Sequence, residues 1–144
     1  MFANDFLGAK SANRKLSMVT CYDYTFARLL SQTAVDGLLV GDSAAVVLYG
    51  HASTLSANVE LMRLHTEAVA RGAGDKLVVA DMPFLSYRKG VAAALDAAQA
   101  LMIAGAHAVK LEGIDGHARG THESGQPLRA TRAPGLGALP ANPC

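Results

Sequence analysis

Three acidic residues stand where short apolar runs end: Asp42 after LLVG, Asp81 after LVVA and Glu112 after VKL. The gaps between them, 39 and 31 residues, are each about one strand-helix-strand unit. If the runs are parallel strands of one sheet, their C-terminal ends share an edge, and the carboxylates converge where α/β proteins build their sites. Converging carboxylates repel unless a cation sits between them, and an oxygen-only donor set favours a hard ion such as Mg²⁺ over zinc. Taken singly, each acid can instead cap the helix that follows it. Lys110 lies two residues before Glu112 and so shares its strand face. A lysine facing a barrel interior needs an anionic partner. That partner is either Glu112, in a structural ion pair, or the carboxylate of a substrate. Ser43, beside Asp42, can hydrogen-bond the same ligand or cap a turn or helix.

The elements that must position these residues alternate strand and helix. Residues 16–21 (LSMVTC) read as a strand, followed by Asp23 as an N-cap and by Phe26, Leu29 and Leu30 at helical spacing. Residues 37–41 (GLLVG) form a continuous apolar run suited to a strand buried on both faces. A long connection through Gly50 and Ser53 leads to a helix over about 58–70. Its apolar stripe is Val59, Met62 and Val69, flanked by Glu60, Arg63 and Glu67. Strands at 76–80 and 107–111 enclose a helix over about 90–104 that Gly105 stops. Four such units in succession predict a parallel α/β sheet with right-handed crossovers.

Other chemistry is weaker. Gly41-Asp42-Ser43-Ala44-Ala45 resembles a hydrolase nucleophile elbow with Ala in place of the final Gly, but its acid and histidine partners would have to come from the last 31 residues. Gly72 and Gly74 read as a helix-end turn, and match no phosphate loop. His65, in an amphipathic helix, and His107, at a strand start, read as packing or hydrogen-bonding groups, and Tyr22, Tyr24 and Tyr87 read as packing groups and not as catalysts. His51 lies in a loop near the expected site edge.

Composition bounds the function classes. Thirteen Lys and Arg against twelve Asp and Glu leave a formal charge of +1. With no basic run longer than two, the expectation is no nucleic-acid partner and no membrane partner. No window offers the roughly 18 apolar residues of a membrane span, and Asn4 and Asp5 interrupt any secretory signal. Cys21 and Cys144 make neither a metal-ligand motif nor a disulfide framework, so a reducing, cytoplasmic setting is expected. The chain also changes character near residue 114. Residues 114–144 carry four of the five prolines and five glycines, without Val, Phe, Met, Tyr or Lys. Their few apolar residues keep neither helical nor strand spacing, which predicts a disordered or frameshifted tail beyond a 1–113 domain.

Five segments, VTCYDYTFARLL, LLVGDSAAVVLYGHASTL, LHTEAVARG, VVADMPFLSYRKG and AGAHAVKLEG, resemble in order and spacing the ketopantoate hydroxymethyltransferase family, also called 3-methyl-2-oxobutanoate hydroxymethyltransferase. The resemblance covers roughly residues 17–113, and GDS, ADMPF-SY and VKLEG are its most specific parts. It implies a (β/α)₈ TIM barrel of the phosphoenolpyruvate-binding type. The implied reaction is the transfer of a one-carbon unit from 5,10-methylenetetrahydrofolate to 3-methyl-2-oxobutanoate, giving 2-dehydropantoate by Mg-assisted enolate chemistry in pantothenate biosynthesis. Carried over by position, Asp42 and Asp81 would hold Mg²⁺, with Glu112 completing the metal site directly or through water. Asp42, Ser43, Asp81 and Lys110 would hold the 2-oxo acid. The family's general base is a glutamate with no counterpart in 1–113, so no catalytic residue is assigned. A homo-oligomer is implied by family habit.

The match has departures. Residues 56–64 (SANVELMRL) lack the Pro that commonly follows the STL triplet, and Ala44-Ala45 replaces a bulkier residue and Gly. A barrel of this type takes about 250 residues, so 1–113 is expected to supply only the first four βα units, in a truncated chain inactive by itself. Two alternatives stand beside the transferase: an Mg-dependent carbon–carbon lyase of the same barrel superfamily, and a non-catalytic fragment that self-associates.

Overall fold

The computed structural model describes residues 8, 9 and 11–112. The expectations placed on 114–144, Cys144 included, lie outside the described residues. The apolar runs form one four-stranded sheet: β1 (Met18–Thr20), β2 (Gly37–Val40), β3 (Leu77–Asp81) and β4 (Ala108–Lys110). They lie in the order β1-β2-β3-β4, and every neighbouring pair is parallel. Three expected helices are present as α1 (Tyr24–Ser31), α3 (Val59–Gly72) and α4 (Val91–Ile103). The long connection holds two elements its composition did not announce, the short helix α2 (Ala44–Val47) and a 3₁₀ turn at Thr54–Ser56. Periodicity cannot reveal helices of one turn, because one turn contains no repeat.

Local chemistry accounts for the helix ends. Asp23 Oδ1 accepts from the Phe26 N–H at 2.9 Å and Asn58 Oδ1 from the Leu61 N–H at 2.8 Å, so α1 and α3 both start on a side-chain cap. Gly105, with φ +105°, takes the left-handed conformation that stops α4. Along α3, Arg63 pairs with Glu60 at 2.7 Å and Glu67 at 3.1 Å, and Arg71 pairs with Glu67. The opposite side buries Met62 and Val69 completely. That burial, about 1.5–3 kcal/mol per large side chain, outweighs exposed helical ion pairs worth about 0.3–0.5 kcal/mol each.

The three long helices share one side of the sheet. Leu38 and Val40 of β2 and Val78 and Ala80 of β3 sit in a single core cluster with Met62 and Val69 of α3 and Leu101 of α4. In α1 the core residue is Ala27, while Phe26 and Leu29 are 61% and 58% exposed. The cause is close packing: a Cβ on Gly72 of α3 would lie 2.7 Å from the Tyr24 carbonyl and 2.8 Å from the Ala27 Cβ. Pleating then sends Leu39, Val79 and Asp81 to the face that these helices leave uncovered. The register sets Asp81 beside Lys110, whose side chain therefore points to that same face. No helix among the described residues is long and apolar enough to cross a membrane.

Candidate active site

The strand ends bring Asp42, Asp81, Lys110 and Glu112 into one electrostatic cluster. Asp81, expected just past its strand, is the last residue of β3, with a side chain only 7% exposed. Its Oδ1 accepts from Lys110 Nζ at 2.6 Å, and its Oδ2 accepts from the Asp42 N–H at 3.3 Å. Lys110 Nζ also reaches Glu112 Oε1 at 3.0 Å. The expected pair between Lys110 and Glu112 is thus present, with the buried Asp81 as the closer partner. Glu112 remains at the rim, its side chain 68% exposed, and its carbonyl oxygen accepts from the Tyr87 hydroxyl.

Protonation follows from these contacts. Burial, then repulsion from Asp81 and Glu112, pushes the Asp42 carboxyl above its ordinary value, against the opposing pull of Lys110 and a hydrogen bond from Thr54. Burial works against the charge on Lys110, but the hydrogen bonds and charges of Asp81 and Glu112 outweigh it and raise its pKa. Three carboxylates against one ammonium leave an excess of two negative charges when all are ionised. A divalent cation matches that excess, and the donors are all oxygens. Among the described residues, no three His, Cys, Asp or Glu side chains gather closely enough to hold a metal by themselves. An oxygen-only donor set with this charge excess fits a hard cation such as Mg²⁺, which commonly keeps water in its shell.

Ser43 occupies the N-cap position of α2, yet its side chain makes no cap hydrogen bond. Its Oγ meets the Tyr22 hydroxyl at 2.9 Å, a phenol and not the imidazole that a nucleophile elbow requires. Gly41 leaves room for this arrangement, since a Cβ there would lie 2.7 Å from Ser43 Oγ and 3.6 Å from Asp81 Oδ2. Tyr22 is thus more than the packing group expected from sequence. Its position directly after the first strand run, matching Asp42 after the second, was the signal that could have found it. Thr54 carried no such signal, because the 3₁₀ turn that brings it to Asp42 was not foreseen. His65, expected as a hydrogen-bonding group, places Nδ1 2.6 Å from the Tyr22 carbonyl oxygen and Nε2 3.0 Å from the Tyr49 hydroxyl. His51 lies beside Tyr49, with ring centroids 6.5 Å apart. At the other end of the sheet, His107 Nδ1 accepts from the Val78 N–H at 3.0 Å, extending the β3–β4 ladder.

Two solved structures share this fold. Phosphonopyruvate hydrolase, crystallised with oxalate and Mg²⁺, aligns with a TM-score of 0.62 at 16% identity, covering 76% of this chain and 38% of its own. For 2,3-dimethylmalate lyase, a member of the PEP mutase/isocitrate lyase superfamily, the TM-score is 0.58 at 19% identity, with 74% and 38% covered. Curated relatives are closer in sequence. The 3-methyl-2-oxobutanoate hydroxymethyltransferase of Bdellovibrio bacteriovorus is 55% identical over 113 residues, covering 78% of this chain and 43% of its own length. That of Coxiella burnetii is also 55% identical, with 78% and 42% covered, and that of Francisella tularensis is 48% identical over 112 residues, also with 78% and 42%. The chain thus spans about two fifths of the length of these relatives. The family model for ketopantoate hydroxymethyltransferase matches residues 1–123, and the chain belongs to that family.

Proposed function

We propose that residues 1–113 form the 2-oxo acid and Mg²⁺ site of a hydroxymethyltransferase acting on 3-methyl-2-oxobutanoate, with 5,10-methylenetetrahydrofolate as one-carbon donor and 2-dehydropantoate as product. The carrying observation is the cluster in which Lys110 ties Asp81 to Glu112 while Asp42 stays electrostatically strained beside them. Asp42 and Asp81 would hold Mg²⁺, with Glu112 completing the site directly or through water. Bound there, Mg²⁺ supplies the Lewis acidity that makes the C3 proton of a 2-oxo acid removable. Lys110 has three ammonium donors. Asp81 and Glu112 take two of them, and the third faces a ligand carboxylate. Ser43 donates its hydroxyl proton to the same ligand, and together the two side chains orient the substrate.

In this reading, the chain by itself binds substrate without turning it over. Asp42 and Asp81 are assigned to the metal and Glu112 pairs with Lys110, and the glutamate that the resemblance makes the general base has no counterpart in 1–113, so no residue here is assigned the C3 proton. The complete reaction belongs to a closed (β/α)₈ barrel in a homo-oligomer working in the cytoplasm as part of pantothenate biosynthesis.

Titration calorimetry tests the site. Mg²⁺-dependent binding of 3-methyl-2-oxobutanoate is expected in wild type and at least about tenfold weaker in Asp81→Asn, as loss of one charged hydrogen-bonded contact implies. A wild-type chain that binds neither ligand overturns the reading. The superfamily likeness to 2,3-dimethylmalate lyase supports a second reading, Mg²⁺-dependent carbon–carbon cleavage. Incubation with a 2-alkylmalate and a search for the cleaved 2-oxo acid decides between them. The identity to the transferases and the ADMPF-SY segment favour the first.

A further inference from the structure

The site's serine is connected to helix α3 by an unbroken set of contacts. Among the described strands β1 lies at an edge, and at its C-terminal end the Cys21 N–H donates to the Leu39 carbonyl at 2.9 Å. The next residue, Tyr22, has left the ladder, and its carbonyl is taken up by His65 Nδ1 at 2.6 Å. A carbonyl only accepts, so Nδ1 carries the proton. In the neutral imidazole Nε2 is then the acceptor, and it faces the Tyr49 hydroxyl at 3.0 Å. The Tyr49 ring stands edge-on to the imidazole, with centroids 5.7 Å apart. His65 lies on α3 between Met62 and Val69, both completely buried, so the imidazole is carried on a well-anchored helix.

The other end of Tyr22 meets the site. Its hydroxyl and Ser43 Oγ, 2.9 Å apart, share one hydrogen bond whose direction is open in the free protein. An anionic ligand oxygen accepts only. When one is present, Ser43 must donate to it, and the Ser43 oxygen can then only accept from Tyr22. A phenol is a ready donor in that role. The donor order runs from Tyr22 to Ser43 to ligand, and it holds only while the Tyr22 backbone stays where His65 keeps it.

We propose that His65, as the Nδ1–H tautomer, is a positioning residue that acts through Tyr22 to aim the Ser43 hydroxyl at the ligand. The role rests on the 2-oxo acid reading of the site. It makes Tyr22 the link between α3 and the substrate-binding edge, and it leaves the metal-holding carboxylates untouched.

The test joins nitrogen NMR of the imidazole with calorimetry of 3-methyl-2-oxobutanoate in the presence of Mg²⁺, on the full chain. The expected results are an Nδ1–H tautomer, and binding about tenfold weaker in Tyr22→Phe and in His65→Leu. The double variant should lose no more than either alone, as coupled residues do. His65→Asn, whose amide N–H can replace the Nδ1 donor, should bind within about threefold of wild type, and Mg²⁺ affinity measured without the oxo acid should not change in any variant. An Nε2–H tautomer, additive losses, or wild-type binding by Tyr22→Phe overturns the proposal. Tyr22→Phe removes one oxygen and keeps the ring, so it decides the matter even if His65→Leu fails to fold. These failures leave wild-type binding intact. Failure of the site reading itself shows instead as a wild-type chain that binds no oxo acid, and removes this role with it.

Discussion

At the scale of single residues, the site turns on one lysine with two unequal partners. Asp81 is buried and Glu112 is exposed, so the two halves of the Lys110 contact differ in consequence. Lys110→Met leaves the Asp81 carboxylate in a poor environment without its cation. It is expected to cost about 2–3 kcal/mol, below the usual range for a fully buried pair because the lysine is itself 41% exposed. Glu112→Gln should change stability by less than about 1 kcal/mol, as for any surface pair. Urea titration of both variants checks the contrast, and equal losses would refute it. His107 carries the pH dependence at the opposite end of the sheet. Burial holds its imidazole below the ordinary value of 6.5, against the opposing effect of the hydrogen bond with Val78. The unfolded chain therefore binds that proton first, and stability falls as pH drops below about 6.5 toward the lower folded value. His107→Asn keeps an acceptor for Val78 and should flatten thermal stability between pH 7 and about 5. Asp36 acts in a separate, lower window. Its carboxylate is held below 3.8 chiefly by the Ser17 N–H, so its contribution is lost only as pH falls beneath that value.

Among the elements, α3 does the most to organise the fold. It contacts both central strands and both neighbouring long helices, and it carries His65 to the end of β1. The Asn58 cap starts this helix, so Asn58→Ala is expected to cost about 1 kcal/mol in chemical denaturation. A loss under about 0.3 kcal/mol would show that packing alone sets the helix start. The element order and the central strands were legible from sequence, because apolar runs such as GLLV and LVVA belong in the middle of a sheet. The helices nonetheless cover only one of its faces and leave Leu39 and Val79 partly exposed on the other. The stripe of α3 was also legible. In α1 the spacing of Phe26, Leu29 and Leu30 marked a helix but not which residue is buried. That depended on Gly72, 45 residues after Ala27, which admits Ala27 and leaves Phe26 and Leu29 outside.

For the molecule as a whole, the described sheet has two open edges, β1 and β4. Met18 and Val19 of β1 are 38% and 41% exposed, and Leu95 and Ile103 of α4 are 64% and 78% exposed. Unpaired parallel edges flanked by apolar side chains favour association. Sedimentation velocity of the chain should show species heavier than 14.9 kDa that grow with concentration. A single monomeric boundary from micromolar to millimolar concentration would show that these surfaces are covered within the chain.

The residues by themselves determined the order of strands and helices, the parallel direction and the edge at which Asp42, Asp81, Lys110 and Glu112 meet. They could do so because hydrophobic period is a local property and successive strand-helix-strand connections leave few alternative topologies. Only the tertiary structure decided which groups touch. Lys110 answers to Asp81 before Glu112, because register sets those two strands side by side. Ser43 answers to Tyr22, because β1 and β2 end at the same edge. Contacts between residues about twenty to forty positions apart depend on register and pleat, which no single segment contains.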